Sequence, residues 1–188
     1  MTDRSAFRYV TDWQCLTDEN AEAIRAFWLR EHANVEGEEA IRRARQVVAR
    51  VLDENGGIAA VSTAVPKTIP RLQQPMYYYR CFVGAAWRDG RLVRPLLRYT
   101  FDVLEAWARE RDYPCIGMLL ELENEGFART LKRAYWPDVG FAYIGRSVRG
   151  LDLRVRYFRG ARLKTPQQLM HALRPPENAP QAHSPGAQ

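Results

Sequence analysis

Residues Met76 to Trp107 read MYYYRCFVGAAWRDGRLVRPLLRYTFDVLEAW, and three patterns follow one another within them. Through Val83 the residues are aromatic or β-branched, as a strand requires. Trp87, Arg88, Asp89, Gly90 and Arg91 then form a short basic turn. From Leu92 onward the apolar residues recur at helical spacing. A strand delivered into a helix through a tight turn leaves unpaired backbone N–H groups, and the positive end of the helix dipole, at one spot. Such a spot suits a phosphate. Arg91 and Arg94 at the helix start oppose the dipole unless an anion compensates. The same arginines equally fit a solvated surface on which they pair with Asp89 or Glu105.

Beyond the helix, Arg109 to Pro114 close it and Cys115 to Leu122 (CIGMLLEL) form a nearly continuous apolar run, bounded by Pro114 and by Asn124-Glu125-Gly126. This predicts a strand buried on both faces and parallel to its neighbour. Strand, crossover helix and parallel strand make a right-handed βαβ unit. Ligands in such sheets sit beyond the carboxyl ends of the strands. Here those ends are Phe82 to Ala85 and Glu121 to Asn124.

The strand, arginine turn and helix resemble the acetyl-CoA-binding segment of the GNAT acyltransferase superfamily, whose pattern is Arg/Gln-x-x-Gly-x-Gly/Ala before a helix. Arg88 matches the first position, and Leu92, Leu96 and Leu97 match the aliphatic ones. The two family glycines fall on Arg91 and Val93, so the motif is degenerate. Downstream, Asn124, Ala128, Leu131, Tyr135, Gly140 and Phe141 resemble the family's Asn-x-x-Ala-x-x-Leu-Tyr-x-x-x-Gly-Phe, with Trp136-Pro137-Asp138 inserted before Gly140. The resemblance implies an α/β (α+β) fold, a GNAT-like mixed twisted sheet flanked by helices, with a splayed parallel strand pair that admits the pantetheine arm of coenzyme A.

It further implies acetyl-CoA or another acyl-CoA as co-substrate, bound by Phe82, Val83, Arg88, Asp89, Gly90, Arg91, Leu92, Val93 and Asn124. The acceptor would be a small-molecule or peptide amine, and a homodimer is compatible with the scaffold. Direct transfer needs a base, donors for the thioester carbonyl and an acid for the thiolate. Glu121 and Glu123 are the candidate bases, at most one of them functional because alternate residues on a strand face opposite ways. Tyr135, expected on a helix, resembles the family's tyrosine acid.

Elsewhere the chain alternates in the same way. Phe7, Tyr9 and Val10 suggest an opening strand. Thr17 caps a helix from about Asp18 to His32. A second helix is expected after Gly37, with Ile41, Ala44, Val47, Val48, Val51 and Leu52 as its apolar stripe opposite Arg42, Arg43, Arg45 and Arg50, ending at Asn55-Gly56-Gly57. Ile58 to Val65 reads as a strand. The three prolines of PKTIPRLQQP predict an irregular loop or strand edge, one that shortens or replaces the third strand. Ala142 to Ser147 and Leu151 to Phe158 form a closing hairpin through Arg149-Gly150. Thr165-Pro166 caps a short helix, Gln167 to Leu173. The expected organisation is one acyltransferase domain over 1–163, a C-terminal helix over 164–174 and a disordered tail over 175–188.

The 188 residues fit one domain. The net charge of +6 favours anionic partners. Cys15, Cys81 and Cys115 are an odd number without a Cys-x-x-Cys pair, which points away from a disulfide framework or zinc site. No apolar signal core or membrane-length stretch is present, so a cytoplasmic, non-membrane protein is expected. His32 and His171 have no partner cluster and His183 lies in the tail. Without a Ser/His/Asp or metal constellation, hydrolase and metalloenzyme readings are disfavoured. Three readings stand: an N-acyltransferase; a GNAT-fold binding or regulatory module without catalysis, supported by Arg91 and Val93 at the glycine positions; and, disfavoured, a nucleic-acid-binding basic protein drawing on the arginine-rich helix face.

Overall fold

In the computed structural model, which describes residues 7–123 and 132–172, the quoted stretch lies at the middle of an eight-stranded sheet. The chain runs β1 (Arg8–Thr11), α1 (Asp18–Arg30), α2 (Gly37–Ala44), β2 (Val47–Leu52), β3 (Ile58–Ile69), β4 (Gln74–Val83), a single 3-10 turn (Ala85–Trp87), α3 (Val93–Glu110), β5 (Gly117–Glu121), β6 (Tyr135–Trp136), β7 (Phe141–Arg146), β8 (Asp152–Tyr157) and α4 (Pro166–Ala172). The sheet order is β1-β2-β3-β4-β5-β8-β7-β6. Neighbours are antiparallel except β4 and β5, which are parallel, as the βαβ reading requires.

The alternation of β4 divides the core. Tyr77 and Tyr79 pack with Leu97, Phe101 and Leu104 of α3 and with Met118 and Leu120 of β5. Met76 and Tyr78 face the other way, toward Leu119, Leu153 and Val155. On that second face Phe27 and Trp28 of α1 cover Val47 and Val61. Thr17 Oγ1 accepts from Asn20 N at 3.2 Å and so caps α1 as expected. At the start of β5, a Cβ on Gly117 would lie 2.3 Å from Arg156 O, so only glycine lets β8 close against this point. Among the described residues no helix is long and apolar enough to cross a membrane.

Two expectations are corrected here. The second helix ends at Ala44, and Val47 to Leu52 form strand β2, buried along its whole length. A strand covered on both faces has no polar alternation, so its apolar residues also satisfy a helical template. The β-branched Val47, Val48 and Val51 favour the strand. Arg50, read as part of a solvated helix face, is instead buried in β2 with Asp12, Nε to Oδ2 at 2.7 Å and Nη2 to Oδ1 at 2.9 Å. Arg42 and Arg43 both pair with Glu39. Arg45 stays exposed, but Arg50 has left the set for another element, so the four arginines do not form one helix face.

The second correction concerns the prolines. Strand β3 is neither shortened nor replaced by a loop: it runs through Pro66, opposite Tyr77, to Ile69, and of the two expectations the strand edge holds, because past Thr63 it pairs with β4 alone. Ala64 N donates to Gln46 O, the last contact on the β2 side. Two residues later the Pro66 nitrogen points to that same side, where no strand pairs with it, so the missing N–H costs no ladder bond.

The Asp12–Arg50 pair sets the first test. Asp12→Ala leaves a buried guanidinium unpaired and is expected to lower unfolding stability in urea by about 3–5 kcal/mol. Replacing both partners, Asp12→Leu with Arg50→Met, is expected to recover most of the loss. A near-neutral Asp12→Ala would overturn the account.

Candidate functional site

Strands β4 and β5 pair at only three positions, Tyr77 with Met118, Tyr78 with Leu119 and Tyr79 with Leu120. Past Tyr79, β4 stays with β3, whose register continues from Thr63–Arg80 to Ala60–Val83. Strand β5 stays with β8 through Glu121–Leu153. Each strand follows its outer neighbour, and the two splay apart. A cavity of about 700 Å³ fills the opening, with Cys81, Val83, Arg88, Arg94, Leu122 and Glu123 among its walls.

The N-terminus of α3 faces this cavity. Leu92 occupies the cap position with no side-chain hydrogen bond, and the first turn holds no acidic residue, so its amides are open to an anion. Pro95 is tolerated there because first-turn N–H groups have no intrahelical partner. Gly90 has φ +88, with open space where a Cβ would lie; glycine permits this left-handed turn.

Arg88 Nε donates to Val83 O at 3.0 Å, and its guanidinium lies 5.3 Å from the centre of the Phe82 ring. Asp89 accepts from Arg91 N at 2.9 Å and from Arg91 Nε at 2.6 Å; the Arg91 amide above all, then its guanidinium, holds the Asp89 carboxyl below the usual carboxylate range. Arg94 pairs with Asp138 at 2.9 Å. Arg98 donates twice to Asp138 O, at 2.9 and 2.6 Å, so α3 carries the β6–β7 connection.

Of the residues expected to bind the co-substrate, Phe82, Val83, Arg88, Gly90 and Val93 line the cavity and Asp89, Arg91 and Leu92 do not. Arg91 is turned onto Asp89, and Leu92 is buried beside Val83 and Leu96. Asn124, with Ala128 and Leu131 of the second motif, lies outside the described residues, as does the expected tail over 175–188.

Glu121 and Glu123 both reach Arg149, in the β7–β8 turn, at 2.6 and 2.8 Å. Tyr78 Oη donates to Glu121 Oε2 at 2.6 Å. Burial pushes the Glu121 carboxyl up, but hydrogen bonds from Arg149, Ser147 and Tyr78 outweigh it and bring the pKa down to about 2. Glu123 is half exposed. Tyr135 is on strand β6 and not on a helix: its main chain pairs with Ala142 and its side chain is exposed. It borders a separate depression with Arg98, Asp102 and Arg156, while its neighbour Trp136 lines the cavity instead.

A second cavity, of about 670 Å³, lies on the α1–α2 side of the sheet, walled by Trp28, Asn34, Arg43, Thr63 and Arg149. It shares Arg80, Cys81, Phe82 and Glu123 with the first. Spaces on opposite faces of the sheet thus meet at the splay. Arg80 and Arg149 are functional candidates that sequence reasoning passed over; the only signal for Arg80 was a charge inside the apolar run MYYYRCFV.

No protein-family model matches the chain, and no curated protein matches it in sequence. Solved structures do match. A ribosomal-protein-S5-alanine acetyltransferase from Vibrio fischeri superposes with a TM-score of 0.56 at 12% identity, over 84% of this chain and 96% of that one. A bacterial toxin gives 0.54 at 9% identity, over 82% and 92%. AtaTR bound with AcCoA gives 0.53 at 12% identity, over 82% and 93%. At such identities the likeness concerns fold, and the fold is that of the GNAT acetyltransferases.

The Glu121 cluster predicts a pH signature. A carboxyl depressed from 4.5 to about 2 on folding adds stability that is present above pH 4.5 and is lost as pH falls toward 2. Between pH 5 and 3 the urea midpoint of the wild type should therefore fall more steeply than that of Glu121→Gln. Parallel curves would overturn the assignment.

Proposed function

We propose that this chain is an acyl-CoA-dependent N-acyltransferase that moves an acyl group, acetyl in the simplest case, directly from the thioester to an amine. The observation that carries this reading is the opening between β4 and β5, which joins a cavity on the α3 face to one on the α1–α2 face. A donor entering from one side and an acceptor from the other would meet at Arg80 to Phe82.

The residues present suit the donor. The uncapped start of α3 and Arg88 offer N–H groups and positive charge to a diphosphate. Among the described residues no strand pairs with the main-chain groups of β4 beyond Tyr79 that face the gap, and those not already taken, as Val83 O is by Arg88, can bond the amides of a pantetheine arm. Val93, at a family glycine position, lines the cavity with an apolar side chain. Asp89 competes with the phosphates for Arg91.

In the transfer the amine lone pair attacks the thioester carbon, the C–S bond breaks with its electron pair leaving on sulfur, and the proton shed by the new amide nitrogen ends on that sulfur as the free thiol. The acceptor must first lose its ammonium proton. Glu123, bordering both cavities, is placed to take it directly or through a water molecule. Glu121 is held as an anion by Arg149 and Tyr78 and serves to fix Arg149 rather than to accept a proton. Tyr135, outside the cavity, takes no part in this reading.

Acetyl-CoA at a hundredfold excess over its Kd is expected to stabilise the wild type by about 2.7 kcal/mol, read as a rise in Tm. Arg88→Ala should weaken donor binding about 10- to 150-fold, the loss of roughly 1.5–3 kcal/mol of charge-assisted bonding. Arg91→Ala should cost less, and Asp89→Asn should strengthen binding. No stabilisation by short or long acyl-CoA would overturn the transferase reading in favour of a binding module.

Glu123→Gln is expected to lower kcat by about 10²-fold, with kcat of Tyr135→Phe unchanged. Full activity in Glu123→Gln, or its loss in Tyr135→Phe, would reverse those two roles.

A further inference from the structure

We infer that the acceptor amine carries an anionic group, a carboxylate or a phosphate, and that Arg80 binds it. This rests on the transferase reading above and adds to it the chemical class of the acceptor.

Arg80 sits in β4 opposite Thr63, at the point where the two cavities meet, and lines both. Among the described residues its guanidinium forms no ion pair; it lies over the Tyr78 ring, 4.9 Å from the centre, and its buried Nε has no hydrogen-bond partner. The other charges of the second cavity are already matched. Arg43 is held by Glu39 at 3.0 Å, and Arg149 by Glu121 and Glu123 at 2.6 and 2.8 Å. Among the described residues, Arg80 is thus the positive charge of the second cavity that no carboxylate balances.

A guanidinium partly removed from water without a counter-charge destabilises the fold, and a bidentate carboxylate or phosphate is the group whose geometry relieves it. Arg43 adds a second unpartnered Nε on the same cavity, and Asn34 and Thr63 add neutral hydrogen-bonding groups. Glu123 borders the same cavity as Arg80, from the β5 side of the opening. A negative and a positive group bordering one space of about 670 Å³ match a small zwitterion, its ammonium toward Glu123 and its anion toward Arg80. Transfer to nitrogen leaves that anion intact, so the product is an anionic N-acyl compound and the amine's positive charge is lost.

The test uses the full chain and matched acceptors: amino carboxylic acids against their amides, and O-phosphoethanolamine against ethanolamine, with thiol release from acetyl-CoA as the readout. The expected result is kcat/KM at least tenfold higher for the anionic member of a pair, chiefly through KM, and the pair showing it tells carboxylate from phosphate. Arg80→Gln should collapse that ratio to near one and Arg80→Lys should restore part of it. Equal use of anionic and neutral acceptors, or a ratio unchanged in Arg80→Gln, would overturn the inference. Thermal stabilisation by the same anionic amines without acetyl-CoA provides a readout independent of turnover. Stabilisation of the wild type but not of Arg80→Gln, even where no thiol is released, supports the anion site while overturning the transferase reading. Absence of both stabilisation and turnover overturns the anion site.

Discussion

The structure depends on where one strand pairing stops. Parallel pairing of β4 with β5 ends at Tyr79–Leu120, yet neither strand ends there, because β3 holds β4 to Val83 and β8 holds β5 to Glu121. Each wall of the opening is thereby stabilised by its own outer partner, and the gap leaves only a few main-chain groups unpaired. The vertex is pinned from below. Tyr77 stacks on Tyr113 with ring centres 5.8 Å apart and meets Trp13 edge-on at 5.7 Å, so the closed end of the V lies in the most aromatic part of the core. Both cavities, and the position of the α3 N-terminus, follow from this divergence.

The arginines act mostly as fasteners. Arg94 and Arg98 tie the β6–β7 connection to α3 through Asp138. Arg149 draws the β7–β8 turn over the end of β5, and Arg50 links β2 to the segment after β1 through Asp12. Ion pairs on exposed surface contribute little each, but those joining separate elements fix which loop borders which wall. Each such ion pair is close to neutral, so it adds nothing to the net charge of the chain, and composition does not locate the cations left over. That is why the position of Arg80, rather than the total, is informative.

The strand–turn–helix–strand core was legible in the sequence because each element carried a distinct local signal: aromatic alternation before Val83, arginines and a glycine in the turn, helical spacing after Leu92, and Pro114 before the second strand. The splay itself entered through the resemblance. Val47 to Leu52 misled because a strand buried on both faces erases the alternation that would betray it. Pro66 misled because its cost depends on which side lacks a neighbour, a property of the sheet and not of the residue. Within the candidate site, Phe82, Val83 and Arg88 were visible by pattern. Arg149 was not, since its role depends on a turn that is close to Glu121 only in three dimensions. Arg80 was hidden among aromatics, and Tyr135 was drawn to a helical role by motif order alone, whereas its backbone pairs with Ala142.

Strand β8 lies between β5 and β7, so the last strand of the sheet to leave the ribosome is an interior one. Strands β1 to β4, which pair in chain order, can assemble as translation proceeds. The far wall cannot: β5 is joined to the β6–β7 pair only through β8. Until residues 152–157 emerge, β5 can pair only with β4, at three positions, and its other side is an open edge of the sheet. Chaperone capture or premature arrest at that stage would meet a species with its arginine turn already made and an opposite wall not yet held by its outer strand.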